Sequence, residues 1–201
     1  MNIDIRKCRV TAALIIINIL IFAVTFIKGD PEDSVYMMSA GANYYPLTFN
    51  GQLWRIFTCM FLHFDISHLL TNMLSLFAIG SIIEMAFGTW RYLVIYMVSG
   101  LSASLVSAFC HMITNNMAVS AGASGAIFGL SGALICLAVF RMTARYGVDA
   151  RRVPFAVLLS VALSSASNVD NSAHIGGLVT GFLISLLLIL LSASLSKDRA
   201  E

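Results

Sequence analysis

The sequence predicts an all-α membrane protein whose single domain is a bundle of six transmembrane helices with an interfacial first loop. Of its 201 residues, 59% are hydrophobic and only 11% are charged. Its mean hydropathy is +0.88. A soluble domain of this length carries about 25% charged residues, so this chain is too apolar for an ordinary water-facing surface. Apolar stretches close to the length that crosses about 30 Å of hydrocarbon recur along the chain.

Six apolar segments define the predicted topology. They cover residues 11–27, 66–87, 92–113, 120–140, 153–168 and 171–194, of which the fifth is short and rich in serine. The first segment follows Arg6, Lys7 and Arg9 but has no A-x-A-like cleavage site after it, so we interpret it as an uncleaved anchor. The membrane domain is expected to occupy residues 1–201, with short cytoplasmic tails at 1–10 and 195–201.

The positions of lysine and arginine orient these segments in the membrane. Six spans place both termini on one side, and a cytoplasmic N-terminus puts ten of the 12 basic residues on the cytoplasmic side. Only Lys28 and Arg55 then lie outside. Because basic residues favour the cytoplasmic side, we expect both termini to be cytoplasmic. The basic residues form no stripe of the kind that binds nucleic acid.

The connection between the first two spans, residues 28–65, is the only long loop of this topology. Pro46 and Gly51 argue against one continuous helix there. The loop also holds five aromatic side chains: Tyr44, Tyr45, Phe49, Trp54 and Phe57. This density favours a segment within the outer headgroup layer, acting either as an ordinary aromatic belt or in gating or scaffolding.

The four cysteines of the chain are Cys8, Cys59, Cys110 and Cys136, and no two of them have CxxC spacing. A bridge between Cys59 and Cys110 on the outer side is one alternative. We favour small apolar fillers for all four.

Polar side chains on three predicted helices lie at one depth in the membrane. His68 and Asn72 belong to the second span, Ser124 to the fourth and His174 to the sixth. All three spans run from outside to inside, and each of these residues lies near the outer start. At about 1.5 Å per residue they share one level below the outer surface. Polar groups at such a level require a structural or functional reason.

Ser124 and His174 are the candidate nucleophile and general base. Ser124 begins its helix beside glycines, where backbone N–H groups and the helix dipole can stabilise an oxyanion. Glycines on both helices would allow the close approach that a serine–histidine hydrogen bond requires. The alternative is that both residues serve helix packing. Asp170, one turn before His174, is expected to cap the helix rather than complete a triad.

His68 and Asn72 are four residues apart and share one helix face, from which both can donate to an oxyanion. A metal site formed by His63, His68, His111 and His174 is the rival interpretation. Neither an H-E-x-x-H pattern nor a carboxylate at ligand spacing supports it, and no cofactor is expected. Glu84, at the inner end of the second span, is predicted to pair with a cytoplasmic-side arginine.

Four motifs in this order resemble those of the rhomboid family of intramembrane serine proteases, over nearly the whole chain. They are Trp54-Arg55, the H-x4-H-x3-N pattern of His63, His68 and Asn72, the G-x-S-G sequence of Gly122–Gly125 around Ser124, and the H-x2-G-x3-G pattern of His174, Gly177 and Gly181. The resemblance implies a six-helix fold. It also implies substrates with a single transmembrane helix, cut near the outer leaflet of the bilayer.

The resemblance further implies a role for each motif residue. Ser124 would attack the peptide bond and His174 would accept its proton. His68, Asn72 and the Ser124 backbone amide would then stabilise the oxyanion. Phe128 stands where many members of the family have tyrosine, so the ring that stacks on the histidine is kept without its hydroxyl.

Two other classes of function compete with a protease. A non-catalytic rhomboid-like protein would bind transmembrane helices, but such a protein is expected to lack the serine or the histidine, and this chain has both. A transporter is not supported by any pair of broken helices. The small size of the chain favours a bacterial plasma membrane.

Overall fold

A computed structural model of the chain describes residues 8–151, 153–154, 157–158 and 170–197. The helices that it defines are α1 (Arg9–Lys28), α2 (Ser34–Ala40), α3 (Tyr45–Thr48), α4 (Arg55–Thr58), α5 (Ile66–Ser75), α6 (Ser81–Phe87), α7 (Thr89–Thr114), α8 (Ser124–Val139) and α9 (Asn171–Lys197). A 3-10 turn covers Cys59–Phe61, and a π-helical turn covers Leu76–Gly80. In this part of the chain the only β-type pairing is one antiparallel bridge between Asn43 and Ser120.

Apolar helices account for five of the six predicted spans. Among the described residues, four stretches are long and apolar enough to cross a membrane: Arg9–Lys28, Ile66–Phe87, Thr89–Thr114 and Asn171–Ser194. The predicted fourth span, residues 120–140, is the shorter apolar helix α8. The predicted fifth span, residues 153–168, lies outside the described residues except at four positions. The all-α architecture is therefore confirmed.

The second span is not a uniform α-helix. Asp65 caps its beginning, where the carboxylate accepts a hydrogen bond of 2.8 Å from the His68 backbone N–H. After α5 the chain makes the π-helical turn Leu76–Gly80 and then continues as α6. Turns of this kind insert an extra residue into the hydrogen-bonding pattern and often lie near functional sites. The apolar pattern alone does not reveal the interruption.

Helix α8 lies in the centre of the bundle, packed against α7 and α9. Twelve of its 16 residues are buried. A helix that is apolar all round is typical of such a position, because it has no face to present to water. The fold therefore surrounds Ser124, the first residue of α8, with other helices.

The contact between α8 and α9 is made by glycine backbones. A side chain added at Gly177 would meet the backbone oxygen of Gly125, and one added at Gly181 would meet that of Gly129. Only glycine fits at such distances, and small residues are the usual means by which membrane helices approach closely. The predicted close approach of these two helices is confirmed.

The first loop folds into short helices around the buried side chain of Arg55. The guanidinium donates hydrogen bonds to the backbone oxygens of Met38 (2.6 Å) and Ala42 (2.9 Å) and to the side chain of Gln52 (2.8 Å). The neighbouring Trp54 ring remains 51% exposed. The loop is thus discontinuous, as Pro46 and Gly51 predict, and its exposed aromatic surface is available to lipid.

Glu84 caps α1 and has no arginine partner among the described residues. Its carboxylate accepts hydrogen bonds from the backbone N–H groups of Val10 (3.0 Å) and Thr11 (2.8 Å) and from the Thr11 hydroxyl (2.8 Å). The arginine partner stays a prediction, because Arg6, Arg152 and Arg199 lie outside the described residues. The N-terminus of a helix has unsatisfied N–H groups and a partial positive charge, so it stabilises a buried carboxylate in the same way that a cation would.

None of the four cysteines forms a disulfide bond, and three of them are buried. The Cys59 sulfur lies 3.2 Å from the Ser104 hydroxyl oxygen. A bridge between Cys59 and Cys110 is therefore absent, and the burial of Cys8, Cys59 and Cys136 agrees with their expected use as apolar fillers.

Candidate active site

Ser124 and His174 are in direct contact. The serine is the first residue of α8, and the histidine lies in the first turn of α9. Ser124 Oγ and His174 Nε2 are 2.9 Å apart, which is hydrogen-bonding distance. The imidazole is largely buried, with His174 7% exposed. The structure thus brings the predicted nucleophile and base together.

A turn at Gly122 places Ser124 in this position. Gly122 has a φ of 133°, a conformation that side-chain-bearing residues rarely adopt. Its N–H donates a 2.9 Å hydrogen bond to the Cys59 backbone oxygen, which ties the turn to the first loop. A side chain at Gly122 would lie 2.8 Å from His68 Nε2. Glycine is therefore required here both for the backbone conformation and for the approach of His68.

Phe128 holds the imidazole from one side. Its ring lies one turn after Ser124 on α8 and stacks on His174 with 4.1 Å between the ring centroids and 9° between their planes. The stacking expected from the retained aromatic ring is present. One helix therefore supplies both the serine and the platform for the histidine.

His68 and Asn72 approach the same turn from α5. A side chain at Gly122 would meet His68 Nε2 and, at 3.6 Å, Asn72 Nδ2, so both nitrogens face the residue two places before Ser124. Asn72 is 4% exposed, and its Nδ2 has no hydrogen-bond partner within the described structure. A buried donor without a partner is costly, so this amide requires a structural or functional explanation.

His63 lies behind His68 in the loop that precedes α5. The two rings meet edge to face with 5.0 Å between centroids, and His63 is fully buried. Burial lowers the pKa of the His63 imidazole to about 3, so the ring is neutral near pH 7.

His111 is in the last turn of α7. In the described ranges, no three His, Cys, Asp or Glu side chains come together as a metal-ion site requires.

Asp170 caps α9, as predicted, and also reaches two other elements. Its carboxylate accepts hydrogen bonds from the Ala173 backbone N–H (3.0 Å) and from the hydroxyls of Ser172 (2.6 Å), Ser120 (2.7 Å) and Ser107. Burial by itself would raise the pKa of this carboxyl, but these hydrogen bonds outweigh it and hold the pKa below its ordinary value. Sequence reasoning missed Ser107 and Ser120, because single serines in apolar helices are common.

A small polar cavity adjoins Ser124. Besides the serine and its glycine turn, Cys59, Ser104, Ser107 and Asp170 lie along its wall. Hydroxyl, thiol and carboxylate groups at such a site can bind a water molecule. Polar groups therefore lie close to the nucleophile, in a cavity that apolar residues such as Met60 and Ala126 also line.

Comparison with known proteins places the chain in a family. The family model for the Rhomboid domain matches residues 50–191. RHOMBOID-like protein 1 of Arabidopsis thaliana is 31% identical over 208 residues, covering 89% of this chain and 52% of that protein. Rhomboid protease GluP of Bacillus subtilis (strain 168) is 34% identical over 86% of this chain and 33% of its own length. Rhomboid protease AarA of Providencia stuartii is 34% identical over 90% of this chain and 72% of its own length.

The fold and the comparisons together define an integral membrane protein built from apolar helices around a serine–histidine pair. The chain belongs to the rhomboid family. It spans about half of the length of RHOMBOID-like protein 1 and a third of that of GluP.

Proposed function

We propose that this protein is an intramembrane serine endopeptidase that cleaves the transmembrane segments of single-span membrane proteins near the outer leaflet. The observation that carries the proposal is the 2.9 Å contact between Ser124 Oγ and His174 Nε2. Two relatives, GluP and AarA, are named as rhomboid proteases. A protein that only bound transmembrane helices would not need this contact.

In the first half of the reaction, Ser124 Oγ attacks the carbonyl carbon of the scissile peptide bond while His174 Nε2 accepts the hydroxyl proton. The resulting tetrahedral intermediate collapses when the imidazolium gives that proton to the leaving amine. The peptide's C-terminal fragment leaves, and its N-terminal fragment remains as an ester on Ser124.

In the second half, a water molecule attacks the ester carbonyl and His174 accepts one of its protons. Collapse of the second intermediate returns the proton to Ser124 Oγ and releases a carboxylic acid. The cavity beside Ser124, which has hydroxyl and carboxylate groups in its wall, offers a place for this water. A dyad suffices for these steps, since one imidazole serves as base and then as acid.

Three donors are assigned to the oxyanion: the His68 imidazole, Asn72 Nδ2 and the Ser124 backbone N–H. The Ser124 amide is at a helix N-terminus, where N–H groups lack intrahelical partners and the dipole favours negative charge. The unpartnered Asn72 amide supports the assignment, because a forming oxyanion would satisfy it. Donors prearranged in this way are worth about 10²–10³ in kcat each.

The substrate class follows from the location of the site. A peptide bond within an intact helix is shielded, so the substrate segment must first become extended. We place both termini in the cytoplasm and the site near the outer surface of the membrane, following the distribution of basic residues. The exposed aromatic side chains of the first loop then lie in the outer headgroup layer.

Cleavage of a single-span reporter by purified protein in detergent tests the proposal, with Ser124→Ala and His174→Ala as matched variants. We expect cleavage within or near the reporter's membrane segment by the wild type alone. A serine-reactive fluorophosphonate probe supplies an independent readout and should label wild type but not Ser124→Ala. Folded wild-type protein that neither cleaves nor labels would favour a protein that only binds transmembrane helices.

A further inference from the structure

The Asp170 carboxylate makes more hydrogen bonds than helix capping requires. Oδ1 accepts from Ser172 and Ala173, both in the first turn of α9, and these bonds complete the cap. Oδ2 instead accepts from the hydroxyls of Ser107 on α7 and Ser120 in the α7–α8 connection. A single partly buried carboxylate therefore joins three separate elements of the bundle.

Ser120 connects this carboxylate to the turn that carries the nucleophile. It lies four residues before Ser124, and its backbone pairs with Asn43 through hydrogen bonds of 2.9 and 2.8 Å. The Asn43 amide in turn donates to the Ser104 backbone oxygen on α7 at 2.8 Å. The segment that precedes Ser124 is thus hydrogen-bonded to the first loop and to Asp170, and Asn43 connects it to α7.

Asp170 also contacts the turn of α9 that carries His174. The His174 backbone N–H donates a 3.1 Å hydrogen bond to the Asp170 backbone oxygen, and the Ala173 N–H is held by the carboxylate. Asp170 therefore determines where the first turn of α9 begins. The imidazole of His174 is carried by that turn.

The carboxylate makes its hydrogen bonds with hydroxyls and a backbone N–H rather than with the His174 ring. It is therefore not the third member of a triad, whose carboxylate bonds directly to the imidazole. Hydrogen bonds to a charged acceptor are roughly twice as strong as those between neutral groups. Asp170 is thus suited to hold parts of the site in place.

We propose that Asp170 is a positioning residue for hydrolysis, and this inference rests on the proposed function. By joining the start of α9 to Ser107 and Ser120, it keeps His174 at hydrogen-bonding distance from Ser124. The two catalytic side chains come from different helices, so their separation depends on how the helix ends are fixed. A displacement of about 1 Å can reduce the rate about 100-fold.

Three variants separate positioning from simple capping. Asp170→Asn retains a good N-cap but replaces the charged acceptor with a neutral amide. The double variant Ser107→Ala with Ser120→Ala removes both partners of Oδ2 and leaves the cap intact. Ser172→Ala is the matched control, because it removes one hydrogen bond to the same carboxylate without disconnecting any element from another.

The test measures kcat and KM for the reporter, the rate of fluorophosphonate labelling and the unfolding temperature of the full chain in detergent. We expect the double variant to lose at least about tenfold in both kcat and labelling rate, well below its unfolding temperature, with KM unchanged. Asp170→Asn should show a smaller loss in the same two rates, and Ser172→Ala should match wild type.

A lower unfolding temperature with unchanged kcat and labelling rate in both the double variant and Asp170→Asn would overturn the inference and leave Asp170 a structural cap. That result differs from failure of the proposed function, in which wild-type protein itself neither cleaves nor labels. Because Asp170→Asn keeps the cap, it remains informative if the double variant does not fold.

Discussion

The aromatic ring of Phe128 lies parallel to the imidazole of His174, 4.1 Å from it between centroids. The same helix that begins with Ser124 thus also supports the residue that is proposed to take its proton. A flat apolar contact fixes the rotation of the imidazole while Nε2 stays directed at Ser124 Oγ. The hydroxyl of a tyrosine is not needed for this contact.

Replacing Phe128 with leucine should slow hydrolysis by about 2- to 10-fold, because a stacked aromatic pair is worth about 0.5–1.5 kcal/mol. Phe128→Tyr keeps the ring and should retain wild-type activity. Reporter cleavage rates of the three proteins provide the measurement. Full activity of a folded Phe128→Leu variant would show that stacking does not orient the base.

Asn72→Ala should reduce kcat by about 10²–10³ with little change in stability. The reason is that Asn72 Nδ2 has no hydrogen-bond partner in the described structure, so removing it breaks no hydrogen bond of that amide group. Cleavage kinetics and thermal unfolding, measured on the same preparation, separate the two effects. Unchanged turnover in folded protein would remove Asn72 from the oxyanion assignment.

Gly181→Ala should destabilise the bundle by about 1–3 kcal/mol or more, because its methyl group would collide with the Gly129 backbone oxygen, which cannot rotate away. The labelling rate at Ser124 should fall with it, since α9 must move away from α8. Val179→Ala, on an exposed part of α9, is the matched control. A Gly181→Ala protein as stable and reactive as this control would contradict the close backbone contact.

Stability should fall on acidification because of His63. Burial lowers its pKa to about 3 from an ordinary 6.5, so between these values the unfolded chain binds a proton that the folded chain does not. The contribution of His63 to the free energy of unfolding is complete above pH 6.5. It is lost as pH falls, by up to about 1.4 kcal/mol per pH unit.

Unfolding temperatures of wild type and His63→Gln, measured from about pH 7 to about pH 4.5, test this dependence. The two proteins differ only at residue 63, so the difference between their two curves isolates the contribution of His63. The lowered pKa of Asp170 affects stability only below about pH 4, outside this range. If the unfolding temperatures of the two proteins fall equally on acidification, His63 is not responsible for the loss of stability.

Local patterns in the sequence were sufficient to predict most of the fold and the central contact of the site. Apolar length identifies a membrane helix, and the spacing of Gly177 and Gly181 identifies a face that packs closely. The shared depth of Ser124 and His174 then predicts that they meet, as their 2.9 Å contact confirms.

Features that depend on tertiary contacts were not predictable in this way. The partner of Glu84 is the first turn of α1, 73 residues earlier, and no local pattern links the two. Likewise, nothing in residues 76–80 distinguishes a π-helical turn from ordinary helix. Ser107 and Ser120 acquire their importance only because Asp170 lies between them.

The glycine contacts between α8 and α9 have a mechanical consequence. Where backbone touches backbone, no side chain remains that could change rotamer to let the helices slide or separate. Relative movement of α8 and α9 at these points would require their backbones to separate, so the contacts favour a constant Ser124–His174 distance. We expect a polypeptide to reach the site along a seam formed by side chains, away from this pair.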